Sequence, residues 1–150
     1  MIRDGDWLYL DVDDLLRIAD RFGLGPVRDR NLLESACGRP RTGFGGHEQY
    51  ADAPAKAAAL GWGLTSNHAL VDGNKRLGAI ATLAFLHVNG YDAAVTPGEL
   101  VSLFLQIASG RMQQEELCLF LRGRTVLVAP APRAEMPRQR KSGNEPESRA

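Results

Sequence analysis

One short segment of this chain, His68-Ala-Leu-Val-Asp-Gly-Asn-Lys-Arg76, combines a histidine, an aspartate, a glycine turn and two cations. An apolar run from Leu77 to Val88 follows at once. Because it is apolar nearly all round, it predicts a helix at the centre of a bundle. A glycine turn that opens a helix is a ready anion site, since the first N–H groups of the helix have no partner within it. A histidine and an aspartate beside such a turn indicate phosphoryl or nucleotidyl transfer.

Two residues of this segment could do the chemistry, His68 and Asp72. An imidazole can accept a hydroxyl proton at neutral pH, so His68 is the predicted general base, although a single histidine often has only a structural role. Asp72 is the predicted Mg²⁺ ligand, because Mg²⁺ commonly takes one or two carboxylates together with substrate phosphates. The alternative for Asp72 is an ordinary turn residue, since Asp-Gly is a common turn pair.

The four residues after Asp72 are the predicted anion site. Gly73 lets a phosphate approach the backbone closely, and Asn74 is the predicted N-cap of the following helix. Lys75 and Arg76 fall in the first helical turn, where a cation opposes the helix dipole. A bound polyphosphate reverses that cost, which favours a functional role for this pair over a merely solvated one.

Helical patterns account for most of the remaining chain as far as Leu121. Asp29 is the predicted N-cap of a short second helix, and Thr96-Pro97-Gly98-Glu99 is a capping box with proline at the first helical position. The segment from Tyr91 to Val95 is predicted to be extended. The predicted helices are 12–22, a short one after Asp29, 51–67, 74–89, one from Thr96 to 108, and 113–121.

The segment Gly38–Gly46 reads Gly-Arg-Pro-Arg-Thr-Gly-Phe-Gly-Gly. Four glycines and a proline in nine residues exclude a helix and predict a loop or loose hairpin. Arg39, Arg41 and Phe44 on such a loop would suit contact with a protein target. An ordinary connection is an equal alternative, since loops carry function only sometimes.

The composition limits the classes of protein to which this chain can belong. With 150 residues and 44% hydrophobic content, the chain predicts one domain, residues 1–128, and a disordered, proline- and arginine-containing tail, residues 129–150. The 18 basic and 18 acidic side chains balance, so no direct nucleic-acid binding is expected. No apolar run approaches the roughly 20 residues that span a bilayer, so no membrane partner is expected either. Cys37 and Cys118 lack a CxxC partner and no signal-peptide core is present, which predicts a cytoplasmic protein.

At these residues the chain resembles the Fic/Doc family, in particular its Doc (death-on-curing) branch. The family motif is His-Pro-Phe-x-Asp/Glu-Gly/Ala-Asn-Gly/Lys-Arg, and this chain keeps every chemical residue, with Ala69 for the proline and Leu70 for the phenylalanine. The resemblance covers about Leu15 to Tyr91. Its other matching stretches are Arg28-Asp29, Leu32-Leu33-Glu34-Ser35-Ala36, Arg39-Pro40, Phe44-Gly45-Gly46, Lys56-Ala57-Ala58-Ala59 and Phe85-Leu86 with Asn89-Gly90-Tyr91.

The resemblance implies an all-α, compact helical bundle with a small hairpin flap, here Gly38–Gly46, over the active site. It also implies that His68 is the general base, that Asp72 holds Mg²⁺, and that Gly73–Arg76 form the anion hole. ATP is the implied donor and a protein hydroxyl the implied acceptor. For the Doc branch this means a toxin that phosphorylates elongation factor Tu and is paired with an antitoxin protein, whereas ordinary Fic members attach AMP.

Two features of the sequence favour phosphorylation. Lys75 replaces the second glycine of the motif, and Ala79 stands where typical Fic members have a second arginine, which the resemblance implies holds the nucleotide for AMP transfer. The inhibitory Ser/Thr-x-x-x-Glu-Gly/Asn helix of the family is also absent from this chain, so inhibition would come from a separate antitoxin. An AMP-transferase and a non-enzymatic, partner-binding member remain the alternatives.

Overall fold

Two antiparallel helices form the centre of the protein, whose computed structural model describes residues 1–128. Those residues form six α-helices and three two-stranded antiparallel ribbons, which confirms the predicted all-α helical fold. The helices are α1 (Val12–Arg21), α2 (Arg30–Gly38), α3 (Ala53–Ser66), α4 (Asn74–Val88), α5 (Pro97–Ala108) and α6 (Gln114–Arg124). The strands are β1 (Ile2–Asp4), β2 (Trp7–Tyr9), β3 (Gly43–Phe44), β4 (His47–Glu48), β5 (Tyr91–Ala93) and β6 (Thr125–Leu127).

Side-chain caps fix where the helices begin. Asp29 accepts a hydrogen bond from the Asn31 N–H at 2.9 Å, which confirms it as the N-cap of α2. Thr96 and Glu99 form the predicted reciprocal capping box of α5. Hydrogen bonds from the Arg124 guanidinium and the Thr96 N–H lower the pKa of the Glu99 carboxyl to about 2, so α6 is also tied to the start of α5.

The core is built around α3 and α4. As predicted from its apolar sequence, α4 is central: Phe85 is fully buried, with its ring 6.2 Å from the Trp7 ring and 6.0 Å from the Tyr9 ring. The ribbon β1–β2 therefore closes one side of the bundle. Buried Asn89 joins the same ribbon to α4, because its side-chain amide accepts from the Leu8 N–H and donates to the Leu8 carbonyl, both at 2.9 Å.

The crossing of α3 and α4 is close because glycine faces threonine in both directions. A Cβ at Gly61 would lie 2.0 Å from Thr82 Oγ1, and a Cβ at Gly78 would lie 2.1 Å from Thr65 Oγ1. The threonine hydroxyls donate within their own helices, Thr65 to the Gly61 carbonyl at 2.8 Å and Thr82 to the Gly78 carbonyl at 2.7 Å. The polar groups are thus satisfied while the helices touch.

Two parts of the chain differ from the sequence prediction. Gly38–Gly46 is not wholly a loop: Gly38 ends α2, Arg39–Arg41 form a short 3-10 helix, and the hairpin is confined to residues 43–48. Pro40 is compatible with this helix because it occupies the first turn, where its missing N–H has no role. The last helix continues three residues beyond Leu121, to Arg124.

The prediction of a domain at 1–128 followed by a tail at 129–150 is not tested, because the tail lies outside the described residues. None of the helices in residues 1–128 has the length and apolar composition of a membrane span. Cys37 and Cys118 are both free thiols.

Candidate active site

The loop between α3 and α4 carries the histidine in an unusual backbone conformation. Asn67 caps the C-terminus of α3, and His68 follows with φ of 56°, the left-handed region. Glycine is the usual residue at this position after a helix, and a residue with a Cβ costs about 1 kcal/mol or more there. Strained residues of this kind cluster at functional sites, where the surrounding structure holds them in place.

The next two residues of the loop anchor it in the core. Ala69 and Leu70, which occupy the proline and phenylalanine positions of the motif, are both buried. The Asn74 side chain closes the loop by accepting from the Leu70 N–H and donating to the Leu70 carbonyl, both at 2.9 Å. The prediction of Asn74 as N-cap is therefore wrong: Gly73 is the N-cap, and Asn74 is the first helical residue. Its side chain is used by the loop backbone, not by the helix end.

Gly73 opens α4 with φ of 100°, a conformation that favours glycine. No side chain caps this helix, so its first N–H groups are left for solvent or a ligand. Lys75 and Arg76, in the first turn, are exposed and add positive charge at the same place. Helix end and side chains together form a site suited to an anion.

His68 and Asp72 are both exposed, so the loop offers an imidazole and a carboxylate to solvent beside the anion site. Among the described residues, no group of three or more His, Cys, Asp or Glu side chains could form a protein-only metal cage. A single carboxylate does fit Mg²⁺, which usually keeps waters and binds chiefly to the phosphates of a nucleotide. Neither thiol offers an alternative nucleophile, since burial raises the pKa of Cys37 to about 12 and also raises that of Cys118.

The three residues predicted for the flap are in different surroundings. Phe44, in the hairpin, is 89% exposed. The Arg41 guanidinium reaches Asp4 Oδ2 at 3.1 Å and lies over the Tyr9 ring. Arg39 lies over the Trp62 ring, and its guanidinium donates to the Ala59 carbonyl at 3.2 Å and to the Gln114 side chain. Its position thus indicates a role in packing.

Sequence reasoning missed the residue that holds the flap. Lys56 of α3 is fully buried, and its Nζ lies 2.6 Å from Glu48 Oε1 of β4 and 3.2 Å from the Pro40 carbonyl. It also lies over the Trp7 and Tyr9 rings. The signal in the sequence was a single charged residue within the alanine-rich pattern of α3. A lysine at such a position is buried only where it has a partner, so it indicates a contact with another element.

An apolar groove of about 220 Å³ begins beside Lys75 and Arg76 and runs between α4 and α5. Ala79 and Ile80 line one wall and Phe104 the other. Among the described residues that line it, the cations are Lys75 and Arg76 at its beginning. Position 79 carries an alanine, so no cation of residues 1–128 stands further along this wall to hold a polyphosphate.

Comparisons with known proteins identify the family of this chain. The model of the Fic/DOC family matches residues 9–86, which include the whole loop and most of α4. This chain belongs to the Fic/DOC family. It is also similar to Toxin Doc of Mycolicibacterium smegmatis (strain ATCC 700084 / mc(2)155), with 45% identity over 89 residues, 57% of this chain and 68% of that protein. The Fic/DOC resemblance predicted from His68–Arg76 is confirmed.

Proposed function

We propose that this protein is the toxin of a toxin–antitoxin pair and acts in the cytoplasm as a protein kinase. Its substrate would be a hydroxyl of a translation factor, elongation factor Tu, and its donor ATP. The observation that carries the proposal is the loop from His68 to Arg76, in which a strained histidine and an uncapped helix N-terminus adjoin. The relative named Toxin Doc supports the toxin part.

In this proposal His68 accepts the proton of the acceptor hydroxyl. The hydroxyl oxygen bonds to the γ-phosphorus, the bond from that phosphorus to the β,γ-bridging oxygen breaks, and ADP leaves. Lys75 and Arg76, with the first N–H groups of α4, stabilise the charge on the transferred group. Their exposure in the first turn of α4 leaves them accessible to a nucleotide.

Asp72 is the proposed Mg²⁺ ligand. When bound, Mg²⁺ supplies charge neutralisation on the phosphates. Asp72 itself is oriented by the backbone, because the Gly25 N–H donates to its carbonyl at 2.9 Å and Gly73 follows it as the N-cap of α4. These contacts fix the backbone of Asp72 beside the anion site and do not use its side-chain oxygens.

Phosphate transfer is favoured over AMP transfer by the surroundings of Ala79. AMP transfer requires the α-phosphate to face His68 while a cation holds the outer phosphates further along α4. Ala79 instead forms part of an apolar groove wall with Ile80 and Phe104. With Lys75 as the cation nearest the turn, the γ-phosphate is the group that the loop is suited to hold.

The test is a transfer assay with elongation factor Tu, Mg²⁺ and ATP labelled on either phosphate. We expect γ-label to reach the target and α-label not to, with a mass gain of about 80 Da for phosphate rather than about 329 Da for AMP. Transfer of α-label would establish the AMP-transferase instead. Absence of any transfer would leave the partner-binding alternative.

The base assignment is tested by His68→Ala. Loss of a general base costs about 10²–10⁴-fold in rate, so growth inhibition should disappear at equal expression. The circular dichroism spectrum should stay unchanged, since the His68 side chain is exposed. A fully toxic variant would contradict the assignment.

A further inference from the structure

A segment upstream of the site, Gly25–Asp29, runs antiparallel to the loop and holds it by its backbone. The Gly25 N–H donates to the Asp72 carbonyl at 2.9 Å, and the Val71 N–H donates to the Pro26 carbonyl at 2.8 Å. The N–H groups of Arg28 and Asp29 both donate to the Ala69 carbonyl, at 2.7 and 3.1 Å. None of these bonds is made by a side chain, so we expect them to remain when a side chain of the segment is changed.

One side chain of this segment adds a different contact. The Arg28 guanidinium donates twice to the carbonyl oxygen of His68, from Nε at 2.9 Å and from Nη2 at 2.6 Å. Both donors are charged and converge on one acceptor, which makes the contact strong and directional. Arg28 is otherwise exposed, so it is held by these two bonds more than by packing.

This contact falls where the backbone of His68 most needs support. The left-handed φ of 56° is unfavourable for histidine, and the peptide plane after it would relax if nothing held its carbonyl. Arg28 fixes that plane with its side chain and the next plane with its own N–H. With both planes fixed, only the side-chain torsions of His68 remain free to move the imidazole.

We propose that Arg28 is a positioning residue that keeps the His68 imidazole in place for proton transfer, and this rests on the general-base role proposed above. Arg28 does not touch the reacting atoms; it acts through the carbonyl of His68. The consequence is a loss of turnover without loss of nucleotide binding when the guanidinium is removed.

The experiment compares Arg28→Met with Arg30→Met. Methionine keeps an unbranched apolar stem and removes the donors. Arg30 is a matched control, being exposed, two residues away and paired only loosely, at 3.7 Å to Glu34 and 3.9 Å to Asp13. A misplaced catalytic group costs on the order of 10- to 100-fold, so we expect that loss in kcat for Arg28→Met, with KM for ATP and Tm close to wild type. Arg30→Met should resemble wild type. An unchanged kcat in Arg28→Met would overturn the proposal.

A double-mutant cycle with His68→Ala separates positioning from direct action. The His68→Ala variant keeps the carbonyl, so Arg28 still has its acceptor. If Arg28 acts through the imidazole, adding Arg28→Met to His68→Ala should not lower the residual rate further. If the two losses multiply, Arg28 acts directly on the phosphates or on the whole loop, and the proposal is wrong.

A readout that needs no transfer separates this inference from the proposed function. In ¹⁵N-labelled protein, the heteronuclear NOE of the His68 and Ala69 amides should fall in Arg28→Met and stay at the wild-type value in Arg30→Met. Unchanged values in both variants would overturn the positioning role. A wild-type protein that transfers nothing would contradict the proposed function, and this comparison would still decide whether Arg28 orders the loop.

Discussion

At the scale of single residues, Gly73 is constrained in two separate ways. Its φ of 100° is one that residues with a Cβ rarely adopt. A Cβ would also lie 2.9 Å from the Cβ of Leu24, and Leu24 cannot move away easily, because its own N–H donates to the Ala19 carbonyl at 2.8 Å. An asparagine, which tolerates left-handed backbone better than alanine, would meet the same obstruction.

We therefore predict that Gly73→Ala destabilises the protein more than backbone strain alone would. Gly110→Ala is the control, because Gly110 also has positive φ, 79°, but a Cβ there has nothing within 4 Å. Strain costs about 1–2 kcal/mol at either position, and overpacking adds about 1–3 kcal/mol at Gly73 alone. Urea denaturation measures both variants. Equal losses of unfolding free energy in the two variants would mean that Leu24 moves aside at little cost and that the φ angle alone determines the effect.

At the scale of helices, the crossing of α3 and α4 determines how the two halves of the site meet. The histidine follows the end of α3, and the cations stand in the first turn of α4. The distance between the helices is set by Gly61 and Gly78, each facing a threonine of the other helix. A wider crossing would move Lys75 and Arg76 relative to His68.

Gly78→Ala tests this crossing. Its Cβ would lie 2.1 Å from Thr65 Oγ1 and 2.9 Å from the Gly61 carbonyl oxygen, so rotation of Thr65 alone cannot relieve the contact. Overpacking of this kind costs about 1–3 kcal/mol, which outweighs the gain of at most about 1 kcal/mol in helix propensity. Transfer activity should fall with Tm.

Gly123→Ala in α6 is the matched helical control. A Cβ at Gly123 has nothing within 4 Å, so only the propensity gain remains and Tm should rise slightly. If Gly78→Ala raised Tm as well, the helices would be free to separate, and the crossing would not control the site.

The hairpin β3–β4 is the second element with a separable role. Lys56 contacts Glu48 of β4 from inside the bundle, and Arg41, just before β3, contacts Asp4, while Phe44 projects with 89% of its surface exposed. Because its side chain is this exposed, Phe44 contributes little to the packing of the fold, and we propose that it contacts the protein target. Removing it should then affect the acceptor alone.

We predict that Phe44→Ala raises KM for the protein acceptor by about 10-fold or more, as expected for an aromatic anchor, and leaves KM for ATP unchanged. Replacing Arg41 by alanine as well should weaken acceptor binding further. Leu119→Ala is the control, an exposed apolar residue on α6. A parallel rise in KM for ATP would assign the hairpin to the nucleotide pocket instead.

At the scale of the whole molecule, the features that could be predicted from the sequence are those that neighbouring residues determine. Asp29 and the Thr96–Glu99 box are local caps, and the apolar circumference of α4 requires burial wherever the helix is placed, so these predictions are confirmed. The grouping of the site residues could be predicted for the same reason, since His68 to Arg76 are contiguous, and their chemical roles stay predictions. The prediction of Asn74 as N-cap was wrong because its side chain can bond either to the helix end or to the Leu70 backbone, and the folding of the loop decides between them.

What the sequence did not predict depends on contacts between distant residues. Strands of three residues, such as β1 and β6, are too short to show an alternating pattern, and β6 pairs with β5 more than thirty residues earlier in the chain. Asn89 was interpreted only as part of a helix end, yet it joins α4 to Leu8, 81 residues away. The hydrogen bond from the Arg28 guanidinium to the His68 carbonyl joins residues 40 positions apart, and no sequence motif indicates it.

The pairing of β6 with β5 provides a structural test of the predicted domain boundary at Val128. The Val128 N–H donates to the Gly90 carbonyl at 2.9 Å, just after β6 has paired with β5 from Thr125 to Leu127. We propose that residues 1–128 suffice for transfer and that residues 129–150 are dispensable for it, because the sequence of the latter is rich in proline and charged residues.

Two truncations check this boundary. A chain ending at Val128 should keep its Tm and should keep transfer activity within about 2-fold of wild type, since terminal segments are commonly tolerant of truncation. A chain ending at Arg124 removes β6 and the bond to Gly90, leaves β5 without its partner strand, and should lower Tm. If the chain ending at Val128 kept its Tm and lost transfer, the last 22 residues would contribute to the site or to target binding, and the catalytic unit would extend beyond the bundle.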